Sequence, residues 1–159
     1  DTEFEGFLQL ARERPISVRF IELMRTGDNK ELFERRHLSS AGLLTHFAEK
    51  GWMEQSRLQG AGPARIFRRA GAAGSAGLIA PYSNDFCSTC NRLRVTSRGG
   101  LRLCLFAESD FSLRHLLQAD EQRAELQELV RAQLNRKEVS HYLPEGRVGN
   151  AKHFAMMGG

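Results

Sequence analysis

The sequence predicts a protein of the α/β to α+β class, and two observations carry this prediction. Residues 1–50 are arranged as helix, strand, polar loop and helix, the order expected of the last strand–helix units of a βα-barrel. Residues 51–159 contain two glycine-rich stretches and closely spaced turns, which indicate a small antiparallel sheet accompanied by helices. We therefore expect two domains, 1–50 and 51–159, the second ending in a flexible tail.

The elements of the first domain follow from periodicity and from helix-ending residues. The first helix is predicted by apolar residues at helical spacing, namely Phe4, Phe7, Leu8 and Ala11. Ser17–Leu23 reads as a short apolar strand, and Met24–Asn29 reads as a polar loop. Ser39 or Ser40 can cap a second helix, and Gly51 ends it.

The second domain begins with short strands. Four are predicted: Arg65–Arg69, Leu78–Ala80, Leu93–Thr96 and Leu101–Phe106. A turn at residues 98–100 joins the last two into a hairpin. Two helices follow, near Ser112–Gln118 and Glu121–Arg136, and after Lys137 the periodicity fades into a loose tail.

Composition and charge limit the classes of function that the protein can have. Hydrophobic residues are 41% and charged residues 26% of the chain, which is ordinary for a soluble globular protein. There is neither an apolar run of about 18 residues nor a secretory signal pattern, so we expect a cytoplasmic protein without a membrane partner. Between Arg57 and Arg102 lie eight arginines, no lysine and one acid, Asp85, within a chain of net charge +4. This segment predicts a polyanionic partner.

The three cysteines form a candidate metal site. Cys87 and Cys90 are a C-x-x-C pair, and Cys104 follows at a spacing that lets a hairpin return it to them. Three thiolates can hold zinc with a histidine as fourth ligand, or an iron–sulfur cluster with one iron left open, and the spacing leaves both open. No histidine stands at a short zinc-ribbon spacing. Arg92 and Arg94 fit an anionic substrate beside an open iron, or simple neutralisation of the thiolates.

Several segments together resemble a known family. Phe86–Phe106 (FCSTCNRLRVTSRGGLRLCLF) resembles the carboxy-terminal cluster motif of the GTP 3′,8-cyclases, the molybdenum-cofactor biosynthesis A proteins. Arg19–Gly27 (RFIELMRTG) is similar to the family's last barrel strand and the loop after it. Gly62–Ala64, Gly77–Tyr82 and the terminal Gly158-Gly159 also match. The resemblance identifies the chain as the carboxy-terminal part of such an enzyme.

The resemblance implies a radical enzyme that converts GTP to cyclic 3′,8-dihydro-GTP in molybdenum-cofactor biosynthesis. It implies that Cys87, Cys90 and Cys104 hold a second 4Fe-4S cluster, which binds the guanine of GTP. It also implies GTP contacts from Arg92, Leu93 and Arg94. Met24 matches a position lining the S-adenosylmethionine site, and Gly158 and Gly159 match a tail that inserts into the active site and activates it. The first 4Fe-4S cluster and S-adenosylmethionine are expected only in the full-length enzyme.

Two departures limit what this chain can do alone. Arg25 stands where many members have proline, and no C-x-x-x-C-x-x-C motif occurs anywhere in the sequence. We therefore expect the chain by itself to be inactive and to serve as a GTP- and cluster-binding part. The family implies cyclic pyranopterin monophosphate synthase as functional partner and is compatible with a homodimer, while no nucleic-acid partner is expected. The alternatives are a zinc module that binds nucleic acid and a degenerate homologue with a structural role.

Overall fold

A computed structural model of the chain describes residues 3–150 and 152–153. Its helices are α1 (Phe4–Glu13), α2 (Lys30–Arg36), α3 (Ala41–Glu49) and α4 (Arg123–Leu134). Its strands are β1 (Ser17–Ile21), β2 (Met53–Glu54), β3 (Arg65–Arg68), β4 (Ser75–Ile79), β5 (Arg94–Val95), β6 (Gly100–Arg102) and β7 (Phe111–Ser112). Short 3₁₀ turns occur at Arg114–Leu116 and Asp120–Gln122. The described residues fall into two compact units: unit 1 comprises 3–23 and 36–86, and unit 2 comprises 24–35, 87–150 and 152–153.

Unit 1 is built on a four-stranded mixed sheet in the order β1-β4-β3-β2. The pairing of β1 with β4 is parallel and runs from Ser17↔Ser75 to Ile21↔Ile79, whereas β3 pairs antiparallel with both β4 and β2. One core cluster covers the sheet with side chains from α1 and α3, and its largest members are Leu8, Phe47, Trp52, Phe67 and Leu78. Burial of these apolar side chains is the main stabilising contribution in this unit.

Unit 2 contains the small antiparallel sheet β5-β6-β7. Arg94 pairs with Arg102 and Val95 with Leu101, and Gly99 makes the turn between the strands with a φ of 75°. The core of the unit is Leu101, Leu103 and Leu113, against which α4 packs Leu126, Leu129 and Val130. This contact fixes α4, and the residues just after it, relative to the hairpin.

The α+β class, the helix before Pro15, the helix before Gly51 and the hairpin at residues 98–100 are confirmed. The predicted strand Leu101–Phe106 is wrong in its second half, since β6 ends at Arg102. Beyond that point the Cys104 carbonyl accepts a hydrogen bond from Ala107 N–H (3.2 Å), so this backbone forms a turn and not a paired strand. The helix predicted near Ser112–Gln118 is instead strand β7 followed by a single 3₁₀ turn.

The domain boundary at residue 50 and the barrel ancestry of residues 1–50 stay predictions. No helix among the described residues combines the length and the apolar composition needed to cross a membrane.

The glycine at position 74 gives a direct test of the unit 1 packing. A Cβ atom placed there would lie 2.1 Å from the carbonyl oxygen of Ile16 and 2.5 Å from that of Arg14, and backbone atoms cannot step aside. We expect Gly74→Ala to lower the free energy of unfolding by about 3 kcal/mol. The control is Gly42→Ala in α3, where a Cβ meets nothing within 4 Å and should stabilise by about 0.5–1 kcal/mol. Urea unfolding measures both, and equal effects would contradict the packing described here.

Candidate metal and anion site

The first two cysteines lie on one tight turn of unit 2. The amide of Cys90 donates a hydrogen bond to the carbonyl of Cys87 (3.1 Å), which brings the two residues together. Both are half-buried, and no disulfide involves them. Arg94 of β5 pairs with Arg102 of β6. These are the paired residues nearest in sequence to Cys90 and Cys104, so both cysteines follow from the same end of the hairpin.

The third thiol, Cys104, is also free and half-buried. Burial raises the pKa of this thiol most, and the charges of Cys87 and Cys90 raise it further. Two groups oppose that effect on the pKa: the amide of Phe106, which donates to Cys104 Sγ (3.5 Å), and the cation of Lys137. Cys87 and Cys90 thus share one turn, and Cys104 lies in the same unit.

Lys137 is a site residue that sequence reasoning missed. Its ammonium donates to the carbonyl oxygen of Arg92 (2.9 Å) and to that of Cys90 (3.2 Å), and lies 3.8 Å from Cys90 Sγ. It places a positive charge beside thiols that become anionic when they bind metal. Periodicity offered no signal for it, because it stands alone after the end of α4 and far from the cysteines in sequence.

Three free cysteines in one unit are a donor set suited to a cluster. Within residues 3–150 and 152–153, no three His, Cys, Asp or Glu side chains stand close enough together to ligate a single metal ion. A four-iron cluster makes a different demand, since each cysteine binds a different iron atom. Three free thiols with an N–H donor on one sulfur and an ammonium near another fit such a group in chemistry and in charge.

The predicted substrate residues follow the cysteine turn directly. Arg92 is exposed, Arg94 is half-buried on β5, and within the described part of the chain neither guanidinium has a hydrogen bond or an ion pair. Leu93 between them packs against the core cluster of unit 2 and so anchors the segment. By contrast, Arg102 is buried and its Nε donates to Asp110 (2.7 Å), so it is satisfied internally. Two unpaired guanidiniums that follow Cys90 closely in sequence are groups that can bind anionic oxygens.

A cleft of ≈ 170 Å³ opens on Cys104 within unit 2. Its lining includes Phe106, Phe111, Arg136, Glu138 and Arg147. Arg136 lies 5.0 Å from the centre of the Phe111 ring, and Arg147 is paired with Glu138 (3.1 and 3.3 Å). Sequence reasoning did not single out Glu138 or Arg147, which lie where the periodicity fades.

Met24 begins a loop of unit 2 that one side chain organises. Asn29 accepts a hydrogen bond from the amide of Thr26 (2.7 Å) and donates to the carbonyl of Met24 (2.9 Å). Thr26 is buried and its hydroxyl also bonds Asp28 (3.0 Å). Met24 is half-buried, and Asn29 holds its carbonyl; its role at an S-adenosylmethionine site stays a prediction.

The segment that precedes the chain end is held beside these loops. Asn150 donates to the carbonyl of Glu108 (2.6 Å) and accepts from Arg102 (2.8 Å), and Gly149 lies so close to Phe106 that a Cβ would be 2.3 Å from its oxygen. The carbonyl of Lys152 accepts from the amide of Asp28 (3.1 Å). Gly158 and Gly159 themselves lie outside the described residues.

Most of the chain matches a known protein family. The family model described as Molybdenum Cofactor Synthesis C matches residues 16–143. A relative from Stenotrophomonas maltophilia (strain R551-3) is 48% identical over 159 residues, all of this chain and 49% of the relative. One from Haemophilus influenzae (strain PittEE) is 46% identical over 159 residues, all of this chain and 47% of the relative. One from Vibrio vulnificus (strain CMCP6) is 43% identical over 157 residues, 99% of this chain and 47% of the relative. All three carry the name GTP 3′,8-cyclase, and the chain spans about half the length of these curated relatives.

Proposed function

Because this chain belongs to the Molybdenum Cofactor Synthesis C family, we propose that it is the GTP- and cluster-binding part of a GTP 3′,8-cyclase. The observation that carries the proposal is the turn of Cys87 and Cys90, which Lys137 holds directly before two unpaired arginines, with Cys104 free and half-buried in the same unit. The complete polypeptide would convert GTP to cyclic 3′,8-dihydro-GTP. Its first 4Fe-4S cluster and its S-adenosylmethionine would be bound largely by the part of the enzyme that this chain does not include.

Cys87, Cys90 and Cys104 would hold the second 4Fe-4S cluster. When bound, this group supplies an iron atom without a protein ligand, at which a nitrogen or oxygen of the substrate can bind. The protein contributes a turn that presents two thiols, a half-buried third thiol and a nearby ammonium. The cleft on Cys104 leaves space for a ligand next to this site.

Arg92 and Arg94 would bind GTP through its anionic oxygens, and Leu93 would hold them in place. Guanidinium groups bind phosphate oxygens with paired hydrogen bonds, and these two have no competing partner in the described part of the chain. The backbone between them is fixed, because Leu93 is packed in the core and the Arg92 carbonyl is bound by Lys137. A site prepared in this way loses less entropy when the ligand arrives.

Residues 1–50 would be the end of a barrel, with Met24 at the S-adenosylmethionine site. The parallel pairing of β1 with β4 supports this, because barrel strands are parallel. Met24 follows the carboxyl end of β1 in sequence, and in such barrels the active site lies at that end. A homodimer, the synthase partner and the cytoplasmic location stay predictions.

Cysteine replacement tests the cluster assignment. We expect the anaerobically reconstituted chain to bind about one four-iron cluster, and Cys87→Ala, Cys90→Ala or Cys104→Ala each to lose most of the iron. Iron and sulfide analysis and visible absorbance measure this. Ser97→Ala, in the exposed turn between β5 and β6, is the control and should keep full iron. Full iron in all three cysteine variants would refute the assignment, and stoichiometric zinc in place of iron would favour the zinc module.

Arginine replacement tests the substrate assignment in the complete polypeptide. Arg92→Ala or Arg94→Ala should weaken GTP binding about ten- to a hundredfold, because a charge-assisted contact contributes about 1.5–3 kcal/mol. Iron content should not change. The control is Arg98→Ala, an exposed arginine in the hairpin turn, which should bind GTP like the wild type. Unchanged GTP dissociation constants for both variants would indicate that Arg92 and Arg94 only neutralise the charge of the thiolates.

Gly158 and Gly159 would form an activating tail. Support comes from the segment before them, which contacts the Cys104 loop at Asn150 and the Met24 loop at Lys152. These contacts hold residues 150 and 152 beside loops that carry proposed site residues.

Removal of Gly158 and Gly159 from the complete polypeptide should suppress turnover while both clusters and GTP binding remain. The reason is that glycine can enter a space too narrow for a side chain. A peptide carrying the tail sequence should restore part of the activity, and a scrambled peptide should not. Wild-type turnover by the truncated enzyme would contradict the role of the tail.

A further inference from the structure

One ammonium group, that of Lys137, binds the backbone at two residues between Cys87 and Arg94. Lys137 Nζ is bound to the carbonyls of Cys90 (3.2 Å) and Arg92 (2.9 Å) and lies 3.8 Å from Cys90 Sγ. A lysine ammonium has three N–H donors, and three acceptors are arranged around this one. Lys137 therefore links a proposed metal ligand with a proposed substrate residue.

The position of Lys137 is set by the packing of α4. Leu126, Leu129 and Val130 on this helix pack against the core of unit 2, which also contains residues of the hairpin. After the helix, the amide of Lys137 donates to the carbonyl of Leu134 (3.1 Å), so the backbone continues in a defined turn. The side chain is half-buried rather than solvated. Its reach to the cysteine turn is thus a consequence of the fold.

A fixed cation beside a sulfur ligand has an electronic consequence. Reduction makes an iron–sulfur site more negative, so a nearby positive charge stabilises the reduced state more than the oxidised state. Net charge and hydrogen bonds to the sulfurs are the known determinants of such potentials. Within the described residues, Lys137 is the one ammonium in contact with a cysteine sulfur.

We propose that Lys137 is a positioning residue of this site: it clamps the turn carrying Cys90 to the start of the arginine segment, and its charge raises the reduction potential of the bound cluster. The inference rests on the proposed ligation by Cys87, Cys90 and Cys104. Its charge effect acts through Cys90, and its clamp acts on the backbone even without metal.

The test compares Lys137→Met, which removes the charge but keeps the length, with Lys137→Arg, which keeps the charge. Arg131→Met is the matched control, since it removes one positive charge from an exposed position on α4. At equal iron content, Lys137→Met should lower the midpoint potential by about 59 mV, which is about a tenfold change in a one-electron reduction equilibrium. Lys137→Arg and Arg131→Met should stay near the wild type.

Amide hydrogen exchange of the metal-free chain tests the clamp separately. Lys137→Met should speed exchange in residues 87–92 and leave the rest of unit 2 unchanged. A wild-type potential together with wild-type exchange overturns the inference, even when the cysteine variants lose iron as expected. If the cysteine variants keep their iron, the proposed function fails instead. If Lys137→Met holds no iron, exchange decides: faster exchange confined to 87–92 supports the inference, and unchanged or general exchange overturns it.

Discussion

The hairpin between β5 and β6 is the constraint on which the candidate site depends. Gly99 adopts a positive φ, and the amide of Gly100 is bound by the Thr96 hydroxyl (3.0 Å), so the chain reverses tightly. The same turn is held from outside by the amide of Leu113, which donates to the Gly99 carbonyl (2.8 Å). Because the antiparallel register is fixed at Arg94↔Arg102, the residues before β5 and after β6 must leave the sheet at the same end. Those residues carry the three cysteines.

A second constraint connects the hairpin with the end of the chain. Arg102 is buried on β6, where its guanidinium donates to Asp110 (2.7 Å) and to Asn150 (2.8 Å). A buried cation must keep its partners, because loss of one leaves an uncompensated charge. The two hydrogen bonds of Arg102 thus fix both the loop before β7 and the segment that leads to the tail. Packing of α4 against the core of unit 2 also brings the Lys137 ammonium to the Cys90 carbonyl.

Much of the fold could be predicted because its signals are local. The helical spacing before Pro15, the glycine after α3 and the glycine pair of the hairpin all act within a few residues. Strand β4 begins at Ser75, three residues before the predicted strand Leu78–Ala80, inside a stretch rich in glycine and alanine. Its small side chains are buried, and a Cβ at Gly77 would lie only 3.2–3.3 Å from side chains of β1 and β3. Tertiary packing, which composition does not reveal, selects a strand there.

The candidate site was predictable in its cysteines and arginines but not in what surrounds them. Cys104 was expected on a strand, yet it lies past the strand end, where its sulfur accepts the Phe106 amide (3.5 Å). Lys137 and Asn150 carry no motif, and only the folded chain brings them to the cysteine loops. Long-range contacts of single polar side chains leave no periodic trace in a sequence.

The most direct test of the proposed ligation is an anomalous difference map, at the iron absorption edge, from crystals of the anaerobically reconstituted protein. Ligation by the three cysteines predicts a compact four-iron peak bonded to the sulfurs of Cys87, Cys90 and Cys104, with one iron lacking a protein ligand. Arg92 and Arg94 should face that iron. A single-metal peak at these sulfurs, or iron bound elsewhere while the three thiols stay free, would contradict it.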